Sequence, residues 1–234
     1  MAASLAGKTF FITGGASGMG LATKLAAVTD SVDVSYRSRI LTQPVDVADR
    51  GAIKSFLEGT KRHFGRVDGI ANIAGIGGRL IGTHPIWEIP TAEYDLVMDA
   101  NARSVFNTLA EGLVPGFMET PGSIVNVGSM YSVRGFKNAA PYCGSKHAMI
   151  GLTKTAAIEA GEGGIRVNAL LPGCVDTPLL RATFERFDEE PNQNTPIPRY
   201  GEPQEIANVI AYLLSSESSF VTGAVWNVDG GANA

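Results

Sequence analysis

Cysteine is almost missing: the 234 residues hold two, Cys143 and Cys174, in no spacing that serves a disulfide framework, a metal or a redox pair. They read as reduced thiols of a cytoplasmic protein, and neither is assigned a function. Histidine is nearly as scarce. His63, His84 and His147 are scattered without ligand spacing, so no metal site is expected. An excess of positive charge is lacking too: 19 Lys and Arg stand against 23 Asp and Glu, for a net charge of −4. The basic field that nucleic acid or an anionic membrane requires is therefore absent, and neither is expected as a partner. No window approaches the ~18 consecutive apolar residues of a membrane span. The first residues offer one short run, Phe10, Phe11 and Ile12, with no basic segment before it, unlike a signal peptide. With 44% hydrophobic and 18% charged residues, the composition predicts one globular domain over residues 1–234. A chain of this length buries roughly 70–75% of its extended surface and needs no staple to hold a core.

Short β-rich runs alternate with amphipathic stretches. The runs are Thr9 to Thr13, Ile40 to Val45, Gly69 to Ile73, Ser123 to Val127, Arg166 to Leu171 and Ala224 to Val228. Helical patterns fall at Gly20 to Thr29, Arg50 to Phe64, Ala92 to Met118, Tyr142 to Glu162 and Pro203 to Leu214. That alternation predicts an α/β fold with a single doubly wound, Rossmann-like parallel sheet flanked by helices. One long segment, 178–198, lacks clear periodicity and reads as a lid or substrate loop. Trp87 and Trp226 read as packing residues.

Chemistry is suggested first by Thr13-Gly14-Gly15-Ala16-Ser17-Gly18-Met19-Gly20, set between an apolar strand and a helix. Glycines there let the backbone turn tightly and approach a pyrophosphate, whose charge the free N–H groups of the helix start can meet. Next comes Tyr142-Cys143-Gly144-Ser145-Lys146, in which a phenol and an ammonium lie one helical turn apart. A fixed cation favours phenolate, so this pair can exchange a proton with an alcohol or carbonyl, although the same spacing also arises in ordinary amphipathic helices. Ser129 stands just beyond the strand Ile124 to Val127, at the carboxyl end where open α/β sheets bind ligands.

Together these segments resemble the short-chain dehydrogenase/reductase family almost end to end. Gly14, Gly18 and Gly20 are similar to its TGxxxGxG turn, Asn72-Ile73-Ala74-Gly75 to its NNAG segment, and Pro172-Gly173-Cys174-Val175-Asp176-Thr177 to its PGxxxT segment. Arg199, Gly201, Pro203 and Glu205, then Asp229-Gly230-Gly231, match its closing motifs. The resemblance implies that Asn101, Ser129, Tyr142 and Lys146 are catalytic: Ser129 on the reacting oxygen, Tyr142 moving the proton, Lys146 lowering its pKa and holding the nicotinamide ribose, Asn101 helping to seat a relay water. It also implies that Gly14, Ser17, Gly18, Met19, Gly20, Asp46, Val47, Asn72, Ala74, Gly75, Tyr142, Lys146, Pro172, Gly173, Val175 and Thr177 bind the dinucleotide.

The stretch from Gly20 to Asp46 departs from the family pattern. It should hold a second strand, a second helix and a third strand, yet the candidate strands Val32 to Tyr36 and Ile40 to Val45 have only Arg37-Ser38-Arg39 between them. Parallel neighbours need about ten or more connecting residues, so the second strand and second helix region is truncated. Either the first run is a remnant loop or the two pair as a hairpin. The gap falls on the adenosine end, where Arg37 and Arg39 suit a 2′-phosphate, or are solvated loop charges, and Asp33 lies near the spacing of a ribose ligand. NADP is favoured over NAD.

Met130, Arg134, Phe136, Leu179, Leu180, Phe184 and Phe187 are candidates to line a substrate pocket, or simply fold the lid onto the body. The leading expectation is an NAD(P)-dependent oxidoreductase interconverting a secondary alcohol and a ketone, on a hydrophobic small molecule. The alternative is a protein of the same fold with impaired cofactor binding, acting as a non-catalytic partner subunit or an inactive deletion form. By the resemblance, helices Ala92 to Met118 and Tyr142 to Glu162 pack across a two-fold interface, so a homodimer or homotetramer is expected.

Overall fold

The computed structural model describes residues 5–28, 40–184 and 195–234. Five strands form one parallel sheet in sequence order: β1 (Phe10–Thr13), β2 (Gly69–Asn72), β3 (Gly122–Val127), β4 (Ile165–Pro172) and β5 (Val225–Val228). Every residue of β2 and β3 is buried, as expected of parallel strands covered on both faces. Successive residues serve opposite layers. Ile70, Ile124 and Leu171 join one core with Ile53, Leu57 and Met149, while Ala71, Val125 and Leu170 join the other with Ile206 and Ile210.

The first core is roofed by α2 (Arg50–Phe64), α4 (Ser104–Gly112) and α5 (Ala140–Gly161), and the second by α1 (Gly18–Val28) and α7 (Pro203–Leu214). Helix α2 shows how local sequence sets an element. The Asp49 carboxylate accepts from Gly51 N at 2.8 Å and Ala52 N at 3.1 Å, Lys61, Arg62 and His63 complement the dipole in the last turn, and Gly65 at φ 80° ends the helix. Its inward face is Ile53, Leu57 and Thr60.

Three expectations need correction. Ile40 to Val45 is not a strand: residues 40–46 join no ladder, 41–44 are exposed, and Pro44 has no N–H to donate. Val45 and Val47 instead tuck against the first core, and Asn107 Nδ2 donates to the carbonyls of Val47 and Ala48 at 3.1 and 3.0 Å. Ala92 to Met118 is not one helix. It divides into α3 (Thr91–Met98), a π-helical turn Asp99–Arg103, and α4, which ends ahead of Pro115. Segment 178–198 opens as helix α6 (Pro178–Phe184), whose start is capped by Thr177 Oγ1 accepting from Leu180 N at 3.2 Å. The runs Val32 to Tyr36 and Arg37 to Arg39, with Asp33, and the lid residue Phe187 lie outside the described residues. Among the described residues β1 pairs on one side only, with β2.

Candidate active site

The glycine turn joins β1 to α1. Gly14 has φ 72°, and a Cβ there would stand 2.9 Å from Ala74 N; a Cβ on Gly20 would stand 2.2 Å from Gly14 O. Only hydrogen side chains let the turn close this tightly under the helix start. Thr13 Oγ1 accepts from Ile73 N at 3.0 Å and Ala74 N at 3.2 Å, tying the turn to the Asn72-Ile73-Ala74-Gly75 segment. Thr177 comes from the other side, its methyl 3.1 Å from where a Gly18 Cβ would sit. Gly14, Gly18, Gly20, Ala74 and Thr177 are thus brought together, and the close approaches leave exposed backbone at a helix start, suited to a pyrophosphate.

Behind this cradle, Asn72 Nδ2 donates to Asn126 Oδ1 at 2.8 Å, and Asn126 Nδ2 to Thr153 Oγ1 at 2.9 Å, a buried chain from β2 through β3 to α5. Asn72 Oδ1 is buried with no partner. Pro172 ends β4, Gly173 N donates to Val228 O at 3.1 Å, and Val175 is buried beside a bridge to Gly201. Asp46 stands apart on the surface, its Oδ1 accepting from Ala48 N at 2.9 Å.

At the carboxyl end of β3, Ser129 starts the 3₁₀ turn Met130–Ser132. Its hydroxyl accepts from Tyr131 N at 3.2 Å, and Ser132 Oγ accepts from Ser129 N at 3.0 Å. Tyr142 and Lys146 lie in the first turns of α5, with Nζ 5.8 Å from the centre of the phenol ring. Lys146 is 6% exposed and donates to Val127 O at 3.1 Å; burial pulls its ammonium down to about 8. Burial raises Tyr142 above an ordinary phenol, with the Ser129 hydroxyl drawing it partly back. The Lys146 ammonium lies over the phenol ring, but it is not among the groups that shift Tyr142.

Asn101, 1% exposed, sits in the π-helical turn between α3 and α4. Its Oδ1 accepts from Ile76 N at 2.8 Å, and its Nδ2 donates to Ile76 O at 2.9 Å and Ser145 Oγ at 3.0 Å. Ser145 Oγ in turn donates to Tyr142 O at 2.8 Å. A Cβ on Gly75 would lie 3.0 Å from Asn101 Oδ1 and 3.3 Å from Lys146 Nζ, so these two polar groups converge on that glycine. Ser145 is the link that residue-type reasoning passed over, since nothing in its spacing distinguishes it from any small helical residue.

Ser129 and Tyr142 open onto a cavity of about 670 Å³. Met130, Arg134, Phe136, Leu179 and Leu180 line it as expected; the side chain of Phe184 lies outside the described residues. The segments 195–201 and 227–232, which hold the closing motifs, also contribute, though none of their residues was expected in the pocket. Cys174 lines the cavity and Cys143 is buried. Trp226 stacks on Tyr212 at 5.8 Å and packs as expected, whereas Trp87 is 81% exposed and does not. No helix among the described residues is long and apolar enough to cross a membrane, and none of their His, Cys, Asp and Glu side chains cluster in threes.

Residues 16–233 match the family model described as Enoyl-(Acyl carrier protein) reductase. The levodione reductase of Leifsonia aquatica is 35% identical over 255 residues, covering 97% of this chain and 94% of that protein. The 3-oxoacyl-[acyl-carrier-protein] reductase FabG of Thermotoga maritima is 35% identical over 246 residues, covering 97% and 98%. Both alignments run longer than the 234 residues available here, so these relatives carry residues that this chain lacks. Among solved structures, a blue fluorescent protein from a metagenomic library, in complex with NADPH, superposes with a TM-score of 0.85 at 29% identity, over 99% of this chain and 100% of that one.

Proposed function

The chain belongs to the short-chain dehydrogenase/reductase family and is an oxidoreductase, and on that premise we propose that it interconverts a secondary alcohol and a ketone, with NADP favoured over NAD. The convergence of Ser129, Tyr142, Lys146 and Gly75 at the end of β3, beside the glycine turn, carries this reading. Gly14, Ser17, Gly18, Met19 and Gly20 would face the pyrophosphate, Thr177 and Val175 the nicotinamide side, Lys146 a ribose hydroxyl, and Asp46 with Val47 the adenine. Asn72, Ala74, Gly75, Pro172 and Gly173 complete the cradle. A nicotinamide dinucleotide supplies or takes the hydride when bound.

In the reducing direction Ser129 donates to the carbonyl oxygen, and Tyr142, held protonated by its burial, gives it the proton. In the oxidising direction Tyr142 takes the proton, and the ammonium of Lys146 offsets the charge that develops on the phenolate. Asn101 acts by position. Both its amide hydrogens are spent on protein atoms, and through Ser145 it fixes the backbone carbonyl of Tyr142 while holding Ile76. NADP is supported by the NADPH-bound neighbour and by Arg37 and Arg39. Exposed Phe106 on α4 and Ile158 on α5 support a homodimer or homotetramer.

Titration of the purified protein with NADPH and NADH, followed by fluorescence and melting temperature, tests the reading. Saturable binding with a preference for NADPH is the expected result. Failure to bind either at millimolar concentration would overturn it and leave a fold retained without its chemistry.

A further inference from the structure

One wall of the cavity is built around a cation. Four charged residues line it: Arg134, Arg199, Glu205 and Asp229. Arg199 is bidentate to Glu205, at 2.8 and 2.7 Å, so that pair is neutral. Asp229 turns Oδ1 to Gly231 N at 3.0 Å, and its Oδ2 is shut away from the open space. Arg134 is different. Its guanidinium has no carboxylate within ion-pair distance among the described residues.

It is nevertheless held in place. Nη1 donates to Ala232 O at 2.7 Å, Nη2 reaches Met130 Sδ at 3.3 Å, and the plane lies 5.3 Å from the centre of the Tyr131 ring, which stacks on Phe136 at 4.6 Å. A guanidinium has five donors. The Ala232 carbonyl, the Met130 thioether and the Tyr131 hydroxyl take some of them, and none of these partners carries a charge. The surrounding wall, Met130, Tyr131, Phe136, Leu179 and Ile197, is apolar or aromatic, and the hydroxyl of Tyr131 is the one further acceptor it turns to the guanidinium, a neutral one. The charge also reaches inward, since Arg134 lowers the otherwise raised thiol of Cys174, which in turn influences Tyr142.

A pinned guanidinium with no carboxylate partner among the described residues, beside an aromatic face in the cavity onto which the proton donor opens, is a recognition site for a planar anion on an apolar skeleton. The geometry points to Arg134 as the element that binds a carboxylate on the substrate, so that this enzyme prefers hydrophobic oxo acids or hydroxy acids over neutral ketones and alcohols. The inference rests on the reading of the cavity as the place of alcohol and ketone exchange. Its first test, however, is a binding measurement that needs neither cofactor nor turnover.

Calorimetric titration compares cyclohexanecarboxylate with cyclohexanemethanol at neutral pH and low salt. The carboxylate is expected to bind at least tenfold more tightly to the unmodified protein, with the advantage lost in Arg134→Met and partly kept in Arg134→Lys. Asn233 Nδ2 donates to Met130 O at 3.1 Å and is the second pin of the same tail, so Asn233→Ala loosens the wall without removing the charge and should keep the preference. Equal or absent binding of the two probes, an advantage that survives Arg134→Met, or one lost equally in Asn233→Ala would overturn the assignment. Turnover of 4-oxocyclohexanecarboxylate against cyclohexanone then separates the two readings. Carboxylate binding without turnover of either ketone would sink the proposed reaction and leave the anion site standing.

Discussion

Replacing Lys146 with Met should make this protein more stable at neutral pH while abolishing its chemistry. The ammonium is buried, and its folded value lies at about 8 against 10.5 for a free lysine. Below pH 8 the protonated group is present in both states, and burying it costs about 3 kcal/mol at 1.36 kcal/mol per pH unit. Between pH 8 and 10.5 the unfolded chain still binds the proton that the folded chain has released, so stability climbs with pH across that window and the cost disappears. Methionine fills similar space without the charge, but it leaves the Val127 carbonyl, now paired at 3.1 Å, without its donor. That loss is about 1 kcal/mol. The net gain is then about 2 kcal/mol at pH 7. By pH 9.5 only about 1 kcal/mol of the original cost remains, enough to cancel the lost hydrogen bond and no more. Urea denaturation followed by tryptophan fluorescence at the two pH values measures this. A variant less stable than its parent at pH 7, or a gain of the same size at both pH values, would refute the reasoning.

Tyr142→Phe should lower turnover by roughly 10²–10⁴-fold, the range of general acid and base catalysis, with NADPH affinity changed only a few-fold by fluorescence titration. Gly20→Ala places a Cβ 2.2 Å from a backbone oxygen that side-chain adjustment cannot relieve, so NADPH binding should weaken at least tenfold and the melting temperature should fall. Asn101→Leu leaves both backbone groups of Ile76 and the Ser145 hydroxyl without its hydrogen bonds, at a cost of about 3 kcal/mol by urea denaturation.

Much of the architecture was legible because parallel strands and their covering helices write strong local patterns. Arg50 to Phe64 and Pro203 to Leu214 match α2 and α7, both bounded by capping residues or an N-terminal proline. The failures have physical causes. Ile40 to Val45 has strand-forming residues, but pairing is a property of neighbours, and Pro44 with its exposed flanks gives the ladder nothing to hold. The π-helical turn at Asp99–Arg103 is invisible in composition because an inserted residue shifts the phase of the helix and not the kinds of residue it uses. At the site, Asn101, Ser129, Tyr142 and Lys146 were nominated by motif. The Asn101, Ser145 and Tyr142 chain was not, because its members meet across more than 40 positions, and Arg134 showed as a cavity residue but not as an unpaired charge.

The order of the sheet has a further meaning. Its four ladders run β1 to β5 without a crossing, and Ser129, Tyr142, Lys146 and Asn101 all enter after β2. Among the described residues β1 is the strand nearest the stretch between α1 and α2, and its ladder runs to β2 alone. A change in that stretch therefore meets the sheet at one edge, while the convergence of Ser129, Tyr142, Lys146 and Asn101 is built from elements on the other side of β2.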